Sequence, residues 1–146
     1  MKYAIISDIH SNIEAFCAIC KELIYQDTDS VVCLGDIVGY NPDPDACTNL
    51  VFKTADNIIR GNHDKAVVGC TDIHNFNCAA QEAILWTKKN LTEKNIARLK
   101  NLNQGPIVIN DKFLICHGSL MDKIAIFILL LVSMRASHLW LKIIQI

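Results

Sequence analysis

The chain is poor in the residues that punctuate or extend a polypeptide. Its 146 residues include six glycines and three prolines, and no low-complexity stretch or linker appears. Collagen-like and disordered classes are excluded, because half the residues are hydrophobic and can pay the ordering entropy of a core. Neither sign of charge is in surplus: 14 Lys and Arg stand against 15 Asp and Glu, for a net charge of −1. A sequence-independent grip on nucleic acid needs a basic face, so that class of partner is disfavoured. Long apolar runs are missing as well. The longest, Ile124 to Val132, has nine residues, fewer than the roughly 20 that span a bilayer. Extending it to Ile146 brings in Arg135 and Lys142, so a membrane anchor is disfavoured too. Met1-Lys2 leads into only four largely apolar residues, too short for a secretory signal.

Cysteine is the residue present in excess. The seven cysteines are odd in number and irregular in spacing, which predicts reduced thiols filling core space and a cytoplasmic location. Cys17 and Cys20 have C-x-x-C spacing, but no second pair completes a zinc site, so they read as a helix face.

The periodicity predicts alternating strands and helices. Residues 2–7, 31–34 and 57–60 read as buried strands. Between the first two, Ser11 and Glu14 form a capping box, and Ile13, Phe16, Cys17, Cys20, Leu23 and Ile24 make an apolar helical stripe. Asp43-Pro44 opens the next helix. This order implies parallel strands with right-handed crossovers. Helices follow over residues 77–89 and after Thr92, then a hairpin of Ile107–Ile109 and Phe113–Cys116. The domain is expected over residues 1–121, with 122–146 an apolar tail that is a buried strand in part, an oligomer contact, a membrane-associated segment or unrelated to the fold.

Each predicted strand ends in hard metal ligands: Asp8-Ile9-His10, Gly35-Asp36 and Gly61-Asn62-His63-Asp64, with a further histidine, His117, after the hairpin. Asp8 and His10, two apart on extended backbone, share one side. Carboxyl ends of parallel strands are where sites assemble. Nitrogen and oxygen donors without obligatory thiolate suit manganese, iron or zinc. Two such ions about 3.5–4 Å apart activate a shared water for attack on phosphorus. Against this stands the turn chemistry of Asp and Asn after strands, near even odds for each residue alone but not for the set.

The strings Ser7-Asp8-Ile9-His10-Ser11-Asn12, Gly35-Asp36-Ile37-Val38-Gly39-Tyr40 and Arg60-Gly61-Asn62-His63-Asp64, with His117, resemble the ordered motifs of the calcineurin-like metallophosphoesterases, in particular their small prokaryotic phosphodiesterase branch. The resemblance covers residues 1 to about 120. It implies an α/β two-sheet sandwich flanked by helices. It also implies a hydrolase that cleaves phosphate diesters or monoesters of a small phosphorylated substrate through metal-bound hydroxide. Two divalent ions are implied (Mn, Fe, Zn or Ni, with Mn favoured): Asp8 and His10 on the first, Asn62 and His117 on the second, Asp36 bridging. His63 then sits over the phosphate as a catalytic residue. Asp64 has two readings, orienting the His63 ring or capping the next helix. Tyr40 to Asp43 shape a pocket or merely a loop; Arg60 meets phosphate or, more in keeping with its type, a salt bridge; His74 and His138 read as structural. The family's Gly-His-x-His segment is missing from the five histidines present. The C-terminal part of the fold is therefore expected to be incomplete and activity impaired. A non-catalytic metal- or phosphate-binding remnant is the alternative.

Overall fold

The structure, a computed structural model, describes residues 1–118 and 140–145. The elements run β1 (Lys2–Ser7), α1 (Ile13–Tyr25), β2 (Ser30–Cys33), α2 (Pro44–Thr54), β3 (Asn57–Ile58), α3 (Asn62–Val67), α4 (Cys78–Asn90), α5 (Glu93–Lys100), β4 (Ile107–Ile109), β5 (Phe113–Ile115) and β6 (Trp140–Gln145). The main sheet has the order β3-β2-β1-β6, and β4 with β5 forms a second sheet. β1, β2 and β3 are parallel, as the alternation of strands and helices predicts. Their carboxyl ends therefore lie along one edge.

Strand pleating sorts the core into two layers. Ala4 and Ile6 of β1 and Val31 and Cys33 of β2 face the helices, where Phe16, Leu23, Val51, Val67, Ile84 and Leu99 complete the larger cluster. Tyr3, Ile5 and Val32 face the other way, against Ile109, Phe113 and Ile115 of the hairpin. The Tyr3 and Phe113 rings meet edge to face, 5.0 Å between centroids. The fold is thus mixed α/β, with helices over one face of the main sheet and a small second sheet over the other.

Several local expectations are corrected. Asn12, not Ser11, caps α1: its side chain accepts from Ala15 N at 3.0 Å. Ser11 has φ 59°, unlike the extended backbone of a cap, and its amide is drawn to Ile37 O. The inward stripe of α1 is Phe16 and Leu23 with Ile13, Ile19 and Cys20, whereas Cys17 is exposed and Ile24 is 82% exposed. Both lie about 80–100° round the helix from Phe16. Cys33 and Cys47 are buried in the core and Cys20 packs against it, whereas Cys17, Cys70 and Cys78 are exposed thiols. Thr92 sits at the N-cap of α5, but its hydroxyl turns to Asp45 Oδ1 at 2.8 Å and ties α5 to α2.

Residues 140–145, assigned above to the tail, pair antiparallel with β1 over its whole length, Lys2 opposite Gln145 and Ser7 opposite Trp140. The apolar run 124–132 and His138 lie outside the described residues. Among the described residues no helix is long and apolar enough to cross a membrane.

Candidate metal centre

The loop after β1 is stitched to the loop after β2 by backbone bonds: Asp8 N to Gly35 O at 3.1 Å, His10 N to Asp36 O at 2.9 Å and Ser11 N to Ile37 O at 2.9 Å. These bonds hold Asp8, His10 and Asp36 in left-handed conformations, φ 59°, 47° and 51°. Asp8 and His10 therefore share a side through a strained turn and not through the strand pleat that their spacing suggested. Such strain, about 1–3 kcal/mol per residue, is retained where the surroundings over-determine it. The β3 loop closes in just as tightly. A Cβ on Gly35 would stand 2.7 Å from Gly61 Cα, and one on Gly61 would stand 2.9 Å from Asp36 Cγ. Only glycine admits that approach.

The five candidate ligands converge. Asp36 Oδ1 accepts from His63 N at 2.9 Å, and its Oδ2 lies 3.6 Å from His10 Nε2 and 3.5 Å from His117 Nε2. Asp8 Oδ1 is 3.6 Å from His10 Nε2 on one flank. Asn62 Oδ1 is 2.9 Å from His117 Nε2 on the other. The five side chains form a row, Asp8, His10, Asp36, His117, Asn62, which follows chain order except that His117 stands between Asp36 and Asn62.

Second contacts orient the rings. Nδ1 of His10 faces Val38 O at 3.2 Å, and Nδ1 of His117 faces Leu34 O at 2.9 Å. A ring that donates Nδ1–H to a carbonyl presents its Nε2 lone pair inward, the tautomer used for metal ligation. Carboxylate, amide oxygen and imidazole nitrogen then converge with no hydrogen between them, an arrangement that calls for a cation. In the metal-free chain a proton answers that call. Burial lowers the His117 pKa, but its bond to Asp36 and that carboxylate's charge outweigh burial and bring it to about 9. His10 is raised as well, burial being outweighed by Asp8 and Asp36. Burial works to raise Asp36, yet His117, His63 and His10 hold it below the usual carboxylate range. Asp8 Oδ2 is buried without a partner, an orphan that a cation would satisfy. The donor set fits divalent metal ions.

His63 lies beside this row. Its ring packs against His10 and Tyr40, each at 4.7 Å, and against Phe76 at 5.2 Å. Burial drives its pKa down to about 4, so the ring is neutral at pH 7. One nitrogen from it, one from His10 and one Asp36 oxygen lie within 4.8 Å of one another, so geometry also admits His63 as a ligand. The Asp64 carboxylate does not reach the His63 ring. Oδ1 accepts from Ile37 N at 2.9 Å and Val38 N at 3.1 Å, and Oδ2 from Gly61 N at 3.0 Å. The capping reading is the one this geometry matches: Asp64 is residue N3 of α3, and its carboxylate accepts from the amide of Gly61, the N-cap. Burial and the Asp36 charge push its carboxyl up to about 6, against the pull of the Gly61 and Val38 amides. Arg60 makes no salt bridge among the described residues; its Nη1 donates to Lys100 O at 3.0 Å. His74 is exposed beside Asp72, away from the row. Phe76 was not anticipated, and its one signal is an aromatic between two asparagines before α4.

The comparisons with known proteins agree with this geometry. A family model described as calcineurin-like phosphoesterase matches residues 1–143. An uncharacterized protein of Methanocaldococcus jannaschii is 40% identical over 108 residues, which are 74% of this chain and 43% of that protein. A metallophosphoesterase from Sphaerobacter thermophilus superposes with a TM-score of 0.66 at 35% identity, covering 82% of this chain and 47% of that one. A hypothetical protein from Pyrococcus horikoshii, with TM-score 0.57 and 20% identity over 70% of this chain and 48% of its own, shares the fold. The chain spans less than half the length of each of these relatives. With the family model covering nearly all of its length and the ligand row assembled at the strand ends, this chain belongs to the calcineurin-like phosphoesterase family.

Proposed function

We propose that the protein hydrolyses phosphate esters, diesters ahead of monoesters, at a pair of divalent cations, manganese by preference. The observation that carries this reading is the place of Asp36, one carboxylate oxygen 3.6 Å and 3.5 Å from two imidazole nitrogens. Asp8 and His10 would hold one cation, Asn62 and His117 the other, and Asp36 both. When bound, such a pair supplies Lewis acidity toward phosphate oxygens and lowers the pKa of water toward 7. The chain does the rest. His63, neutral at pH 7, offers an N–H to the leaving oxygen, with Tyr40 and Phe76 holding its ring in place. Val38 O and Leu34 O keep the ligating rings from turning. The substrate is small and phosphorylated, and a cytoplasmic site of action suits the free thiols.

The 146 residues hold no Gly-His-x-His segment. The experiment is hydrolysis of bis(4-nitrophenyl) phosphate with added manganese. Changes that only re-orient a metal ligand cost about 10–100-fold, so Asp36→Asn, which removes the shared ligand, is expected to cost at least about 100-fold. Turnover unaffected by Asp36→Asn overturns the assignment. Turnover unchanged in His63→Ala overturns the role given to His63 alone. The second reading is a metal- or phosphate-binding module without catalysis. Manganese stoichiometry separates the two, with two tightly held ions for the enzyme and one weak ion or none for the module.

A further inference from the structure

A cavity of about 210 Å³ opens beside the second-cation end of the ligand row. Asn62 and His117 line it together with Arg60, Lys65 and Phe76. Lys65 stands three residues beyond Asn62 on α3, so both side chains project from one face of that helix. Neither Arg60 nor Lys65 forms an ion pair with a carboxylate among the described residues. Asp72 is the one acidic side chain of the lining, and its Oδ1 is already engaged by His74 N at 3.0 Å. Arg60 Nε is buried without a hydrogen-bond partner. The cavity thus presents two cationic side chains against one carboxylate, a net positive lining next to the place where a substrate phosphate would bind.

Its size selects among anions. Pockets for ligands of drug size run about 300–1,000 Å³, and this one is smaller. It suits one compact anionic group better than a base with its sugar. We infer that the cavity takes a second phosphate of the substrate, so that Lys65, with Arg60, directs the enzyme toward phosphoesters carrying another phosphate beyond the scissile one. This rests on the centre being a phosphoester site, and it names the substrate class of that site. Lys65 touches the substrate as a specificity residue and takes no part in bond breaking.

The probes are inorganic pyrophosphate and inorganic phosphate, titrated calorimetrically into the full chain, manganese-loaded and metal-stripped. One charge-assisted contact corresponds to about a tenfold or greater gain in affinity. Pyrophosphate is expected to bind at least about tenfold tighter than phosphate, and Lys65→Gln to abolish that margin while leaving phosphate affinity unchanged. Lys65→Arg, which keeps the charge, should restore most of it. If the chain takes up no manganese, the reading of the centre falls; a pyrophosphate preference that still depends on Lys65 in the stripped chain would uphold the cavity. Equal pyrophosphate affinity in the parent and Lys65→Gln, loaded or stripped, overturns the inference.

Discussion

Asp64→Ala is expected to be the most damaging single truncation near the centre, through the fold and not through the His63 ring. Asp64 is fully buried, and its carboxylate accepts three amides, those of Ile37, Val38 and Gly61, at 2.9–3.1 Å. These amides belong to the loops after β2 and β3, and the loops carry Asp36 and Asn62. Removing the carboxylate strands three buried donors, each costing about 1–3 kcal/mol. Water admitted to the space vacated recovers part of that, leaving a loss of about 3–6 kcal/mol. A domain of this size is stable by about 5–15 kcal/mol, so the loss is a large fraction of the total. With a urea slope of about 1–3 kcal/mol/M, the unfolding midpoint should drop by roughly 2 M. Manganese affinity should fall with it, because the two loops are no longer tied. Asp64→Asn keeps one acceptor oxygen but turns an NH2 group toward donors, and should cost about half as much. Urea unfolding followed by circular dichroism reads the stability, and calorimetric titration reads the metal. An unfolding free energy within about 1 kcal/mol of the parent, with unchanged manganese affinity, would refute the reasoning.

The metal-free chain should lose thermal stability on both sides of neutrality. His117, raised to about 9 when folded, contributes fully below its unfolded value near 6.5 and loses that contribution as pH rises through 9. His63, depressed to about 4, contributes above 6.5 and loses it as pH falls toward 4. Calorimetric scans in EDTA from pH 4 to 9 should show both limbs, and an alkaline limb unchanged in His117→Gln would count against the assignment. Gly61→Ala should displace the Asp36 carboxyl, lowering stability by about 1–3 kcal/mol and abolishing tight manganese uptake; a variant that binds the ion normally contradicts the close approach of the two loops. Iodoacetamide at pH 8 should label Cys17, Cys70 and Cys78 rapidly in the native protein. Cys33 and Cys47, buried with thiols pushed up to about 12, should stay unlabelled until unfolding, and mass spectrometry of native labelled protein would expose an error here.

Much of the architecture was legible because burial leaves a periodic trace. The apolar runs of β1 and β2 mark strands covered on both faces, and the helices between them require a parallel sheet. The hairpin announced itself through Asn110 and Asp111, both at positive φ in the turn. Other features left no such trace. Ser11 and Asn12 are equally good caps on paper, and the choice between them depends on the Ser11 amide being pulled toward Ile37. Cys17 and Ile24 fit an apolar stripe by type, but only the direction in which α1 packs decides which side faces water.

The candidate ligands, their chain order and their place at strand ends were written into the chain, since side-chain chemistry and hydrophobic period are local properties. Which atoms face which was not. That Asp36 stands between two imidazoles, that Asp64 is consumed by backbone amides, that Phe76 closes round His63 and that residues 140–145 flank β1 all depend on segments 13 to 143 residues apart meeting in space. Contacts of that separation arise from packing and loop closure, and no local pattern encodes them.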